Sequence, residues 1–140
     1  MVTTAPKKVL IADDSAFIRI ALKKMISESG DFIVVGEAAN GRQALEALDA
    51  DGEIDVVTLD YEMPGMNGEE TLIAIKQRKK APPVLIFSGH TTETSVITER
   101  LQECGADAII FKGSAFDSFH VLDLQEDIIS TLRQITNREN

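Results

Sequence analysis

The stretch Ile54-Asp55-Val56-Val57-Thr58-Leu59-Asp60-Tyr61-Glu62-Met63-Pro64-Gly65-Met66-Asn67-Gly68 decides the fold. It opens as an apolar, β-branched run, closes on a carboxylate, and passes at once into a turn in which proline presets φ. A carboxylate at the C-terminal end of a buried strand stands where open α/β sheets bind their ligands. Upstream, Val9-Leu10-Ile11-Ala12-Asp13-Asp14 repeats the pattern, an apolar strand ending on two acids. If the two strands are parallel neighbours, three carboxylates converge at one sheet edge. Without a cation that arrangement is unfavourable, so a metal site around Asp60 is expected.

Outward from these two segments, strand-like runs alternate with helix-like ones. Strands are expected near 9–13, 32–37, 54–60, 83–88 and 107–112, and helices near 15–29, 41–51, 67–79, 92–104 and 121–136. Val84-Leu85-Ile86-Phe87 and Ala108-Ile109-Ile110-Phe111 are continuously apolar, as strands covered on both faces should be. In the last helix Val121, Leu124, Ile128, Leu132 and Ile135 step by three or four; in the fourth, Ile97, Leu101 and Cys104 mark the inward stripe. Gly30, Gly41, Gly52, Gly105 and Pro82-Pro83 punctuate the boundaries. Five β–α units with short links imply an α/β fold, a doubly wound parallel sheet with helices on both faces. The chain reads as a flexible lead-in over 1–8, one domain over 9–136 and a tail over 137–140.

Composition narrows the function. A length of 140 residues suits one domain, and 44% hydrophobic content supplies a sizeable core. The net charge of −9 argues against a nucleic-acid surface and against docking to an anionic membrane. A lone cysteine, Cys104, excludes an internal disulfide, and no signal peptide or membrane-length apolar run is seen, so a cytoplasmic location is expected. No G-x-G-x-x-G follows the first strand, which argues against a dinucleotide site. His90 and His120 are too isolated for zinc, and Cys104 reads as core.

The polar residues of interest all fall at strand C-termini: Asp13 and Asp14, Asp60, Ser88, and Lys112. Carboxylates bind Mg²⁺ through oxygen and leave room for phosphate oxygens. A metal and a lysine neutralise a phosphoryl group in transfer, and a carboxylate can be the nucleophile that forms an aspartyl phosphate. Each residue has a plainer reading. Asp14 or Ser15 could simply cap the next helix, Asp60 could be a turn residue, Lys112 a surface lysine and Ser88 a loop hydroxyl. For all of these to hold together is improbable.

The set resembles the response-regulator receiver domain over nearly the whole chain: Asp13-Asp14 as the acidic pair, Asp60 as phosphoacceptor, Met63-Pro64 and Gly68 as the following turn, Ser88 as the hydroxyl, Lys112 as the lysine. The resemblance implies a flavodoxin-like five-stranded sheet of order 2-1-3-4-5. It also implies Mg²⁺ held by Asp14, Asp60 and the Glu62 backbone carbonyl, with Asp13 acting through water. Asp60 would take phosphate from a sensor histidine kinase or phosphotransfer protein, and the fourth helix, fifth strand and fifth helix would present the change to an output protein or effector domain. A phosphorylation-dependent dimer is a further expectation, as is self-phosphorylation and self-dephosphorylation without turnover of other substrates. The segment from Lys112 through Leu132 is similar to receivers of chemotaxis methylesterases; no effector domain or G-x-S-x-G elbow is present, so the chain reads as a stand-alone regulator or the receiver of a longer protein.

Three features depart from the family pattern. Gly113 follows the lysine where proline is usual, so a trans bond is expected, the cis form costing about 3 kcal/mol. Ile109 stands where an aromatic switch residue is usual, and Phe116 or Phe119 is a candidate substitute. Glu62 and His90 occupy positions that tune the lifetime of the phosphoryl group. Two other classes compete: an aspartate-nucleophile phosphatase, with Glu62 at the offset of the general acid, and a pseudo-receiver used only for protein contacts.

Overall fold

The computed structural model describes residues 5–88, 95–111 and 121–137. Its elements run β1 (Lys7–Ala12), α1 (Ala16–Ser27), β2 (Phe32–Ala38), α2 (Gly41–Ala50), β3 (Val56–Asp60), α3 (Gly68–Lys76), β4 (Val84–Ser88), α4 (Ser95–Glu103), β5 (Ala108–Phe111) and α5 (Val121–Thr136). The sheet order is β2-β1-β3-β4-β5 and every pairing is parallel. This is the expected architecture, with small shifts at element ends. β1 starts at Lys7, inside the stretch read as lead-in, because the Lys7 N–H donates to the Asp31 carbonyl at 2.9 Å and the Lys8 N–H to the Asp55 carboxylate at 2.7 Å. α3 stops at Lys76, short of 79, as its last turn tightens and the Arg78 N–H donates to the Ile75 carbonyl three residues back.

Local signals explain the helix ends. Ser15, not Asp14, caps α1, its hydroxyl accepting the Ile18 N–H at 3.2 Å. Asn40 caps α2, and Asn67 with Glu70 forms a reciprocal capping box on α3. α4 ends where Gly105 takes φ +106°, letting its N–H reach the Gln102 carbonyl and the Ala106 N–H reach Leu101.

Alternating strand residues divide the core. Val9, Ile11, Leu85 and Phe87 face α1 and α5, whose Leu22, Ile26, Ile128 and Leu132 are buried. Leu10, Leu59 and Ile86 face the opposite way, onto Leu48 of α2, Leu72 of α3 and Leu101 of α4. β4 is buried at every residue, as its unbroken apolar run implies, whereas β5, equally apolar but at the sheet edge, is only partly buried. The expected stripe on α5 is buried at Leu124, Ile128, Leu132 and Ile135; the side chain of Val121 lies outside the described residues.

At the N-terminal edge of the sheet, one Asp107 carboxylate oxygen accepts from Lys76 Nζ and from the Val84 N–H, both at 2.8 Å, tying α3 to β4 and β5. Both side chains of the ion pair are mostly buried, at 23% and 21% exposure. Asp107→Ala is expected to lower unfolding free energy by about 2 kcal/mol, since a charged acceptor is lost from two donors at once. Asp107→Asn keeps an acceptor for Val84 and should lose less. Urea denaturation of both variants checks the order; equal losses would refute it.

Candidate functional site

Adjacency of β1 and β3 places the ends of both strands side by side, and the three acids meet there. Asp13, Asp14 and Asp60 each offer a carboxylate oxygen, and these oxygens lie within 4.8 Å of one another. Asp13 and Asp60 are buried, at 1% and 4% exposure, whereas Asp14 is exposed. Among the described residues no other cluster of three potential metal ligands occurs. Like charges this close in a buried pocket repel, and hard oxygen donors in this number suit a divalent cation of the Mg²⁺ type.

Backbone contacts hold the pocket. The Ser15 N–H donates to Asp13 Oδ1 at 2.9 Å, so Asp13 orders the start of α1 while Ser15 caps it. The Asp13 N–H donates to the Ala38 carbonyl, and the Asp13 carbonyl accepts from Arg19 Nη1 at 2.6 Å. Asp60 Oδ1 accepts the Glu62 N–H at 3.2 Å, folding the next residues back over the carboxylate. Glu62 itself is exposed, and a cleft of about 390 Å³ opens between Asp14, Tyr61, Glu62, Met63, Pro64 and Asn67. Gly68 supports this turn from beneath. Its N–H donates to the Tyr61 carbonyl at 2.9 Å, and a Cβ there would lie 2.5 Å from Tyr61 Cα and 2.6 Å from the Asp60 carbonyl oxygen.

Ser88 is fully buried at the end of β4, one residue beyond Phe87, the register partner of Asp60. Lys112 follows the last residue of β5 and lies outside the described residues, as do His90, Gly113, Phe116, Phe119 and His120. Ile109, at the usual aromatic position, is partly buried in the layer that also takes Tyr61, Ile97 and Cys104. Beside them Glu69 at the start of α3 pairs with Arg100 of α4 at 2.7 Å.

Two features escaped the sequence reading. Arg19 has no motif around it; only its position on the first helix hints at the Asp13 carbonyl. Thr58 lies two residues before Asp60 on the same strand face, its buried hydroxyl without a hydrogen-bond partner among the described residues. Burial pushes the Cys104 thiol above its ordinary value, with Glu69 adding to the effect. Cys104 is therefore expected to react with a thiol reagent at neutral pH several-fold more slowly than in the urea-unfolded chain; equal rates would contradict this.

An open parallel sheet with an acidic, metal-suited pocket at the C-terminal ends of its strands places the chain among α/β domains that bind their ligands at that edge. The chain belongs to the response regulator receiver domain family, whose model matches residues 9–122. It is 38% identical over 131 residues to a protein-glutamate methylesterase/protein-glutamine glutaminase of Syntrophomonas wolfei, covering 94% of this chain and 37% of that protein. It thus spans little more than a third of that relative. The response regulator domain of Thermotoga maritima CheB superposes with a TM-score of 0.85 at 34% identity, covering 97% of this chain and all of that one. CheY6 of R. sphaeroides, solved in complex with the P1 domain of CheA3, superposes with a TM-score of 0.76 at 32% identity, covering 94% and 98%. The chain is thus a two-component receiver domain with a phosphoacceptor function. No helix among the described residues is long and apolar enough to cross a membrane.

Proposed function

We propose that Asp60 is the phosphoacceptor, that Asp13, Asp14, Asp60 and the Glu62 backbone carbonyl hold Mg²⁺, and that Ser88 and Lys112 contact the transferred group. The observation that carries the reading is the cluster of three carboxylates, two of them buried, at the ends of adjacent parallel strands. A bound divalent cation supplies neutralising charge to the pocket and to the phosphoryl oxygens. An Asp60 oxygen attacks the phosphorus of a phosphohistidine; the O–P bond forms as the N–P bond breaks, and the imidazole nitrogen keeps the electron pair and takes a proton from solvent. The Glu62 N–H orients the Asp60 carboxylate for this attack.

The donor is a histidine phosphotransfer domain or kinase, in keeping with the CheY6 complex. Phe17 and Ile20, each 67% exposed, stand one turn apart on α1 beside the pocket and give such a partner an apolar foothold. Exposed Val96 on α4 suits the output side. The domain modifies itself and turns over no other substrate; it works in the cytoplasm, without binding nucleic acid or membrane, and its output is of the chemotaxis methylesterase type. That last point rests on the methylesterase relative and the CheB domain.

Incubation with Mg²⁺ and acetyl phosphate or beryllofluoride tests the reading. Stoichiometric modification of the wild-type chain that disappears in Asp60→Asn is the expected result. Sustained phosphate release from many substrates would instead indicate a phosphatase, and no response a module that acts by contact alone.

A further inference from the structure

Arg19 is placed to set the geometry of the acidic pocket without entering it. Its Nη1 donates to the Asp13 carbonyl at 2.6 Å, and its Nε donates to Glu37 Oε1 at 3.3 Å. The other Glu37 oxygen lies 3.5 Å from Lys23 Nζ. The Arg19 side chain is mostly buried, at 19% exposure, so the fork is held between α1 and the end of β2. The planar guanidinium bonds two acceptors in fixed directions, which an ammonium cannot do.

The Asp13 carbonyl belongs to the peptide unit that joins Asp13 to Asp14. That unit is planar, so fixing its oxygen fixes the direction in which the chain enters Asp14. The Asp13 side is already anchored, through its own N–H on Ala38 and its carboxylate on the Ser15 N–H. Asp14 is exposed, and its position depends on the backbone that carries it. The positive charge of Arg19 would by itself oppose a cation nearby, and its ion pair with Glu37 offsets that charge while the guanidinium bonds the Asp13 carbonyl.

We infer that Arg19, clamped by Glu37, is a positioning residue that presets the Asp13–Asp14 peptide for divalent-cation binding. The inference rests on the acidic pocket being the cation site. Losing a group that orients metal ligands typically costs about 10–100-fold in metal affinity. Arg19→Ala should weaken Mg²⁺ binding by about tenfold, Arg19→Lys should restore part of the loss, and Glu37→Gln should weaken binding by less than Arg19→Ala.

The readout is a Mg²⁺ titration of the full chain in the absence of any phosphodonor, followed by the fluorescence of Tyr61. The chain has one tyrosine and no tryptophan, and Tyr61 directly follows Asp60. A thermal melt of each variant without metal separates lost stability from lost affinity, because a merely structural role would lower the melting temperature and leave the dissociation constant of the folded protein unchanged. A tenfold weaker dissociation constant in Arg19→Ala with partial rescue in Arg19→Lys supports the inference. A constant within twofold of wild type in folded Arg19→Ala overturns it. If Arg19→Ala does not fold, Arg19→Lys and Glu37→Gln carry the test, and unchanged affinity in both overturns it. Absence of saturable Mg²⁺ binding in the wild-type chain would instead defeat the cation-site reading itself, and this inference with it.

Discussion

Asp60→Asn is expected to make the metal-free domain more stable while leaving it unable to accept a phosphoryl group. The three carboxylate oxygens lie within 4.8 Å of one another, and two of the acids are buried. At an effective dielectric of about 20, a pair at that distance repels by on the order of 3 kcal/mol. Solvent around exposed Asp14 screens much of this, so removal of the Asp60 charge should return about 1–2 kcal/mol. The amide is close in shape, and its oxygen can still accept the Glu62 N–H that Asp60 Oδ1 accepts at 3.2 Å.

Saturating Mg²⁺ should reverse the order. A ligand at 100 times its dissociation constant adds about 2.7 kcal/mol to the folded state, and the Asp60→Asn variant forfeits most of that. Urea denaturation with and without Mg²⁺ measures both signs. A variant less stable than wild type in the absence of metal, or a gap indifferent to Mg²⁺, would defeat the view of the pocket as a strained, cation-seeking cluster. The trade is the usual one at a functional site, where charge retained for chemistry costs the resting fold.

The parts of this pocket that the chain announces are those set by local order. Largely apolar, β-branched runs ending on acids marked both strands, and their parallel pairing followed from the intervening helices, because a crossover leaves few topologies open. The meeting of Asp13, Asp14 and Asp60 was legible for that reason, and so was the position of Ser88 at the end of β4. Other features depend on pairings between distant segments. Arg19 matters through a carbonyl six residues away and a carboxylate on another strand, and no spacing rule reports either bond. Whether Asp14 or Ser15 caps α1 turned on which side chain Asp13 leaves free to do so: its carboxylate takes the Ser15 N–H, and the Ser15 hydroxyl turns to Ile18. Thr58 reads as an ordinary strand residue until its hydroxyl proves buried without a partner among the described residues. Capping and strand boundaries shifted by a few residues because they answer to hydrogen bonds from neighbouring segments, as Lys7 and Lys8 do on Asp31 and Asp55.

The segment after Asp60 holds two glycines with different structural demands. Gly65 takes φ +75°, but a Cβ there would meet nothing within 4 Å. Alanine at 65 therefore faces the left-handed backbone alone, a cost of about 1–2 kcal/mol. Gly68 is the opposite case: its would-be Cβ lies 2.5 Å from Tyr61 Cα, 2.6 Å from the Asp60 carbonyl oxygen and 2.7 Å from the Tyr61 carbonyl oxygen. All three are backbone atoms, so no side chain can swing aside. The same residue donates its N–H to Tyr61 at 2.9 Å, so α3 cannot back away without breaking that bond. Gly68→Ala should cost about 3 kcal/mol, the upper part of the range for overpacking, and it should displace the chain where it leaves Asp60. Gly68→Ala is therefore expected to weaken Mg²⁺ binding and phosphorylation together, whereas Gly65→Ala should lower the denaturation midpoint and leave the Mg²⁺ dissociation constant within about twofold of wild type, since its strain is local to an exposed turn. Denaturant midpoints and Mg²⁺ titrations on the two variants decide it. Equal effects on the metal in both, or none in Gly68→Ala, would mean that the start of α3 does not hold the acceptor in place.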